Sequence, residues 1–425
     1  MLKKLRSVAL KKLARLKNTS FTRNGKIDLK KLITMILRTL TKSTLLEIFS
    51  FCSKFNLKFF TKQGFSQARE KLNYRVFKEL NNTFVDEYYE EDYKKYKDYI
   101  LLACDGCRLS LPNQKQIKNF FGCQKNALGE ANTPTAMTSE LYDVENNIVL
   151  SSVISKAYTS ENLMVLEHLN DISKIPNLKN KKIIILFDRG YPALELISAL
   201  FINKISFIMR CKSSWLKEVN TASKYLHYDK VKEITLKLKR NKNRESVKKY
   251  YEMFGEKMFL RFVNEKFSKK EKGIFVTNLN QEEFNGKEIL SLYRNRWKIE
   301  THFHTLKIKA QIENFASKTV NNIKQEYFGK ILLLNLTSLL MDAVKLENPE
   351  SFQNEEYEIN INIALGVVKA EFDDLLFGKN YEKTMLSIKE KILLIPKVLI
   401  EPNRDFERHE KIRKHRFEMN RRSAL

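Results

Sequence analysis

Residues 183–191, IIILFDRGY, decide the fold, because an unbroken apolar run ends at an acid followed closely by a glycine. A run of this length, bounded by a turn signal, is typical of a strand buried on both faces. The same pattern occurs earlier, where the apolar residues 99–104 end at Asp105 and Gly106. Both acids are therefore expected at the ends of core strands, although an aspartate beside a glycine is also a common turn former.

Further short apolar runs extend this pattern on both sides. Residues 135–142 and 148–154 predict two strands joined by a turn, and residues 206–209 predict a final strand. Ser160 is expected to cap one helix, and a second helix is expected after Gly190. The order is strand, strand, strand, helix, strand, helix, strand. It predicts a mixed α/β class, with a sheet flanked by helices as in ribonuclease-H-like folds.

The charge of the chain is its most unusual property. Its 425 residues contain 77 Lys and Arg against 50 Asp and Glu, a formal net charge of +27. The first 64 residues hold 16 Lys and Arg with only Asp28 and Glu47 as acids, and residues 404–422 form a second basic cluster. Self-repulsion of this size favours a polyanionic partner, and nucleic acid is the obvious one. A lysine-rich proteome would give the same excess without such a partner.

Changes in periodicity divide the chain into regions. Helical spacing of apolar residues continues to about residue 97, with Leu45, Leu46 and Phe49 in one stripe. Strict alternation around Ile234 predicts antiparallel strands. The predicted domains are a basic helical DNA-binding region at 1–97, the first part of the ribonuclease-H-like core at 98–211, an antiparallel β insertion at 212–286, the final core helices with Glu300 at 287–345, and a helical C-terminal region with a basic tail at 346–425.

The cysteines and the hydropathy of the chain indicate in which cellular compartment it is expected to act. Five cysteines without framework spacing indicate a reducing cytoplasm. Cys104 and Cys107 form a C-x-x-C pair with no second pair at zinc-finger distance, so both are expected to be core thiols. No stretch approaches 18 uncharged apolar residues, so no membrane span is expected. Residues 331–341 are expected to form a buried helix.

The segment 293–307, YRNRWKIETHFHTLK, carries the clearest chemical pattern. On one continuous helix, Tyr293, Arg296, Glu300 and Lys307 share an arc of about 60°. An apolar stripe lies beside them and consists of Leu292, Ile299, Phe303 and Leu306. The pattern predicts a helix anchored on a sheet, with an acid and two cations at its edge. The alternative is a solvated face with an ordinary Arg296–Glu300 ion pair, worth a few tenths of a kcal/mol.

Asp105, Asp188 and Glu300 together favour catalysis over turn formation. Two acids at strand ends and one on a later helix can converge, and hard carboxylate oxygens are the ligands that magnesium prefers. Two such ions about 4 Å apart stabilise the attacking and leaving oxygens of a phosphoryl displacement. The sequence therefore predicts a site with these three acids as catalytic residues and metal ligands. His304 falls on the same helix edge and is a lesser candidate for a supporting or DNA-contacting role.

These motifs resemble bacterial DDE insertion-sequence transposases, the group with the Y-(2)-R-(3)-E-(6)-K signature. Tyr293, Arg296, Glu300 and Lys307 match that signature. Residues 105–106 resemble the family's first Asp box and residues 188–191 its second. Residues 65–69 and 277–279 also resemble family segments, and the long interval between Asp188 and Glu300 is where the family has a β insertion. Cys107 departs from the Thr or Ser that relatives often carry.

The resemblance implies cut-and-paste transposition: metal-dependent cleavage at terminal inverted repeats, then strand transfer into target DNA. It implies two magnesium ions, with manganese as a substitute, and a homodimer that pairs two transposon ends. The expected DNA-contacting residues are Tyr293, Arg296, Lys307, Arg189 and Trp297. Action in the bacterial cytoplasm, at the nucleoid, is expected. The alternatives are a ribonuclease-H-like nuclease without strand transfer and a domesticated DNA-binding protein.

Overall fold

The computed structural model describes residues 4, 7–22, 25–38, 43–124, 133–237, 245–266, 272–352, 357–378 and 380–399. The predicted basic tail at 404–422 lies outside these residues. Contacts between Cα atoms divide the chain into two compact units. The first consists of Met1–Thr83, Leu109–Thr135 and Thr305–Leu425, and the second consists of Phe84–Arg108 and Ala136–His304.

The strands follow the predicted order with longer bounds. They are β1 (Tyr99–Ser110), β2 (Cys123–Gln124), β3 (Thr133–Asp143), β4 (Ile148–Lys156), β5 (Lys182–Phe187), β6 (Ser206–Arg210), β7 (Tyr228–Thr235), β8 (Lys257–Lys266), β9 (Lys272–Thr277), β10 (Tyr357–Ile359) and β11 (Lys397–Leu399).

The helices of the described residues flank these strands and fill both ends of the chain. They are α1 (Val8–Leu13), α2 (Leu29–Leu37), α3 (Thr44–Lys54), α4 (Lys62–Lys71), α5 (Arg75–Tyr88), α6 (Lys115–Phe121), α7 (Glu161–Ile172), α8 (Leu194–Ile202), α9 (Lys217–Ser223), α10 (Glu245–Phe254), α11 (Gly286–Arg294), α12 (Trp297–His304), α13 (Val320–Glu347), α14 (Ile361–Phe377) and α15 (Tyr381–Leu393).

The core of the second unit is a mixed sheet with β5 near its centre. Its order is β4, β3, β1, β5 and β6, and β5 is parallel to both β1 and β6. β3 and β4 form an antiparallel hairpin with a bulge at Leu141 and Tyr142. The side chains from Ile183 to Phe187 are almost entirely buried, as expected for a strand with both faces covered. The predicted mixed α/β class, with a mixed sheet and helices, is confirmed.

The predicted β insertion continues the core sheet. β9 pairs antiparallel with β6, then β8 with β9 and β7 with β8. The pairing is reinforced at residues 277–279: the Thr277 hydroxyl donates to the carbonyl of Phe207, and the Asn278 side chain bonds the backbone of Phe207 and Ile205. Helices α9 and α10 inside the insertion were not predicted from the alternation.

The first unit is helical apart from short strands. Arg69 on α4 is buried and donates to the Glu326 carboxylate at 3.0 Å and to Gln325 at 3.2 Å, both on α13. α13 is long and apolar enough to cross a bilayer, yet 78% of its most apolar window is buried within the protein. A core helix has that property, in agreement with the burial expected for residues 331–341.

One predicted stripe is wrong. Leu45, Leu46 and Phe49 are 40–50% exposed, whereas Ile48 and Phe51 of the same helix are buried. The apolar spacing of α3 permits either face to point inward, and packing selects the face that carries Phe51. Phe51 contacts Phe377 of α14 edge-on, with ring centroids 5.5 Å apart.

Candidate active site

The register of two parallel strands brings Asp105 and Asp188 side by side. Tyr99 pairs with Lys182, and the paired residues continue to Cys104 opposite Phe187. The residue that follows each of these last partners is an aspartate. Asp188 follows β5 directly, as predicted. Asp105 does not follow its strand but lies within β1, because β3 continues to bond past it: the hydroxyls of Ser139 and Thr138 donate to the carbonyls of Asp105 and Cys107.

Each aspartate is oriented by a nearby glycine amide. The backbone N–H of Gly106 donates to Asp105 Oδ1 at 2.8 Å, and that of Gly190 donates to Asp188 Oδ1 at 2.7 Å. These bonds fix one oxygen of each carboxylate and leave the second for other partners. Glycine at position 190 also avoids a close contact, since the Cβ of any other residue there would lie 3.0 Å from Asp188 Oδ1.

Glu300 is supplied by a helix that is not continuous with the one before it. α11 begins at a capping box in which Asn285 and Glu288 bond each other's backbone N–H groups, a signal readable from the sequence. α11 ends at Arg294, and the chain passes through a tight turn in which Arg296 N–H donates to the carbonyl of Tyr293. The prediction of one regular helix over 293–307 is therefore wrong, and residues Thr305–Lys309 form a π-helical turn.

Arg296 connects two of the predicted acids. Its guanidinium donates to Glu300 Oε1 at 2.7 Å and lies 3.5 Å from Asp105 Oδ2. The Arg296 side chain is only 8% exposed, and its charge is further surrounded by the rings of Tyr293 and Trp297, 5.8 and 5.1 Å away. Glu300 raises the pKa of Arg296 against the lowering effect of burial, so the guanidinium is a permanent cation.

The other predicted DNA contacts differ in exposure. Tyr293 is buried and packs on Phe275, with ring centroids 4.8 Å apart; burial raises the pKa of its hydroxyl. Trp297 and Arg189 are exposed. Lys307 is half-buried in the π-helical turn, within the first unit. The predicted apolar stripe of Leu292, Ile299, Phe303 and Leu306 is confirmed as buried.

The charge around Asp105 is only partly neutralised. The pKa of Asp105 is raised from 3.8 to about 6: burial raises it most, the Gly106 amide and Arg296 lower it, and repulsion from Asp188 and Glu161 also raises it. A carboxyl with a pKa shifted this far by burial and by other acids is characteristic of functional sites. The three acids Asp105, Asp188 and Glu161 thus interact directly through their charges.

Glu161 and Tyr191 belong to this neighbourhood but were not singled out from the sequence. Glu161 is the first residue of α7, and Tyr191 follows the Asp188 turn. The order of the strands could have indicated Glu161. β4 is antiparallel to β3, and β3 is antiparallel to β1, so β4 and β1 run in the same direction. The helix that follows β4 therefore begins at the edge of the sheet where Asp105 lies. Cys104 is a buried free thiol as predicted, whereas Cys107 is half-buried.

Comparison with known proteins gives one family. The transposase DDE domain matches residues 108–336, more than half of the chain. The chain belongs to the transposase DDE domain family. The matched range includes Asp188 and Glu300 and begins just after Asp105. No curated protein matches the chain. Among solved structures, a cryo-EM structure of a piggyBac transposase synaptic complex with hairpin DNA matches with a TM-score of 0.45 and 10% identity, over 96% of this chain and 87% of that one.

Membership identifies this transposase as an enzyme that acts on DNA and uses divalent metal ions. Asp105 and Asp188 present hard carboxylate oxygens, the type of donor that suits such an ion, and their charges repel each other. Among the described residues, no three Asp, Glu, His or Cys side chains stand close enough together to enclose a metal ion. Arg296 bonds Glu300 and lies 3.5 Å from Asp105.

Proposed function

We propose that this transposase performs cut-and-paste transposition, with Asp105, Asp188 and Glu300 as its catalytic and metal-binding acids. The β1–β5 register, which sets Asp105 beside Asp188, is the observation that carries the proposal. The link from Asp105 through Arg296 to Glu300 adds the third acid. Assignment to the insertion-sequence group with the Y-(2)-R-(3)-E-(6)-K signature is part of this proposal.

Magnesium is the proposed ion, as a pair with manganese as a substitute, held by the three acids. When bound, magnesium supplies an activated water for hydrolysis and stabilises negative charge on the phosphate. The protein's part is to hold the donors: Gly106 and Gly190 amides fix Asp105 and Asp188 before substrate arrives. Prior orientation of this kind lowers the reorganisation required during the reaction.

Arg296 has two roles in the proposed mechanism. Its guanidinium neutralises part of the charge of Glu300 and Asp105. Toward DNA, the guanidinium would present its paired N–H groups to a phosphate, the geometry in which arginine binds oxyanions best. Tyr293 supports Arg296 from the buried side, and exposed Arg189 and Trp297 contact the DNA, with Lys307 as a further phosphate ligand.

The substrates are proposed to be the duplex inverted repeats at the transposon ends and then target DNA. Residues 1–97 are proposed to bind the ends, since their concentration of Lys and Arg suits phosphate contacts. A homodimer would pair two ends, and the reaction would take place in the bacterial cytoplasm at the nucleoid.

The test is incubation of purified full-length protein with magnesium, a labelled duplex bearing the inverted repeats that flank the gene, and a supercoiled plasmid. We expect cleavage at the transposon end followed by joining of the labelled strand to the plasmid. Cleavage without joining would reduce the activity to that of a plain nuclease, and binding without cleavage would leave only a DNA-binding protein. Either result would overturn the proposal.

A further inference from the structure

A buried imidazole–carboxylate pair connects the helix of Glu300 to the core sheet. Nε2 of His302, on α12, lies 2.6 Å from Oε2 of Glu140, on β3. Glu140 is fully buried, and His302 is 9% exposed. A carboxylate only accepts hydrogen bonds, so Nε2 of the imidazole carries the proton and is the donor. A charge-assisted bond of this length is stronger than a hydrogen bond between neutral groups.

A second residue of β3 holds the same imidazole. The rings of Tyr142 and His302 are stacked, with centroids 4.4 Å apart and planes inclined by 25°. The Tyr142 hydroxyl donates to Asn147 Oδ1 at 2.7 Å, which holds the phenol in turn. Glu140 therefore contacts the imidazole at its edge and Tyr142 contacts it at its face. Together the two contacts define both the position and the orientation of the ring.

The shortness of α12 gives this contact its importance. The helix has eight residues and begins directly after the tight turn at Arg296. Ile299 and Phe303 are buried, but apolar burial is non-directional. A hydrogen bond depends steeply on distance and angle, so it defines the rotation of a short helix more sharply than apolar packing does.

His302 and Glu300 lie on opposite sides of α12, because two residues along a helix correspond to a rotation of about 200°. A contact that holds His302 from behind therefore sets how Glu300 is presented in front. The strand that makes this contact also bonds the first aspartate: Ser139, next to Glu140, donates to the carbonyl of Asp105. The same strand thus holds the backbone at Asp105 and the helix that carries Glu300.

Stability alone does not account for a buried pair of this kind. The attraction between two buried charges is largely offset by the free energy needed to remove them from water. Apolar side chains of similar volume stabilise a protein core as well or better. The property that a hydrogen-bonded pair adds is a defined geometry between α12 and β3.

We propose that Glu140 and His302 are positioning residues, and that the bond between them sets the place of Glu300 relative to Asp105. The inference rests on the proposed function, because it presumes that Glu300 and Asp105 act together in catalysis. The competing explanation is that the pair only fills the space between α12 and β3.

Two amide substitutions at His302 separate these explanations. Glutamine places an amide nitrogen near the position of Nε2, whereas asparagine is one methylene too short to reach Glu140. The full-length variants are incubated with magnesium and saturating labelled inverted-repeat DNA, and the rate of cleavage is measured in a single turnover. We expect His302→Gln to cleave at nearly the wild-type rate. His302→Asn should be about 10–100-fold slower, since a displacement of about 1 Å can reduce a catalytic rate by that much. Both variants should bind DNA with wild-type affinity.

His227→Gln and His227→Asn are the matched controls. His227 also contacts a glutamate, with Nδ1 3.0 Å from Glu265 Oε2, but its side chain is 73% exposed. Both control variants should cleave as the wild type does. A double variant, Glu140→Leu with His302→Leu, fills the same space with apolar groups. It should unfold at no lower urea concentration than the wild type, yet cleave as slowly as His302→Asn.

Equal cleavage rates for His302→Gln and His302→Asn would overturn the inference, because the reach of the side chain to Glu140 would then not matter. A wild-type rate in the double variant would overturn it as well, since space filling would be sufficient. If the double variant is unstable, the comparison of the two amides still decides. If the wild type and the control variants do not cleave either, the proposed function itself is wrong.

Discussion

Replacing Asp105 by asparagine should stabilise the metal-free protein while destroying its activity. Burial, with repulsion from Asp188 and Glu161, raises the pKa of the Asp105 carboxyl to about 6 from its ordinary 3.8. The side chain is only 20% exposed, so water screens these effects weakly. An uncharged amide of the same shape removes the repulsion and can still accept the Gly106 amide bond. Functional sites commonly reduce stability in this way.

The pKa shift sets the size of the effect. At 1.36 kcal/mol per pKa unit, the ionised carboxyl destabilises the folded state at pH 7 by at most about 3 kcal/mol. The shift already includes the attraction of Arg296, so a gain of about 1–3 kcal/mol is expected. Because the folded state holds the Asp105 proton more tightly than the unfolded state, the wild type recovers this energy as pH falls from 7 through 6 towards 4. The advantage of the variant should shrink over the same range.

Urea unfolding in the presence of a chelator, at pH 7 and at pH 5, measures the stability gain of the variant and the change of that gain with pH. Asp143→Asn is the control, since Asp143 is fully buried and its carboxylate accepts bonds from Tyr89, Asn146 and two backbone amides. That variant turns an amide donor towards other donors and should lose about 2–4 kcal/mol. A variant of Asp105 that is less stable than the wild type at pH 7, or whose difference does not change with pH, would refute the reasoning.

Three further substitutions test other parts of the structure by chemical denaturation. Arg69→Met should lose about 3–5 kcal/mol because it removes the cation that is bonded to the buried Glu326 carboxylate; a loss below about 1 kcal/mol would contradict the pairing. Thr277→Val should lose about 1–3 kcal/mol, since the 2.6 Å hydrogen bond to the Phe207 carbonyl is removed. An unchanged free energy of unfolding would show that this hydrogen bond does not stabilise the sheet. Tyr191→Phe should lose at most about 1.5 kcal/mol, because its buried hydroxyl bonds the Cys104 thiol, a weak hydrogen-bonding partner; a clearly larger loss would contradict this assignment.

The sequence was most informative where local pattern alone determines the structure. The apolar run ending at Asp188 predicted both a central strand and the position of its acid, because a strand covered on both faces tolerates few polar residues. The order of strands and helices along the core followed from its short apolar runs. The apolar stripe beside Glu300 was also evident, because a helix with one buried face carries apolar residues at regular helical spacing.

Features that depend on partners far along the chain were not predictable in this way. Asp105 lies within β1 because β3 continues to pair there, and α3 buries Phe51 because of α14. The tight turn at Arg296 and the π-helical turn after His304 have no simple periodic signal. Glu161 reaches the aspartates only through strand order, so no local motif at position 161 marks it.

The most direct test of the central claim is cleavage of labelled inverted-repeat ends by Asp188→Ala in magnesium, with DNA binding measured on the same preparation. The variant should bind the ends with wild-type affinity and produce no cleaved strand above background. Normal cleavage by this variant would contradict the assignment of the catalytic acids, because Asp188 is the acid that the core strand places at the centre of the site.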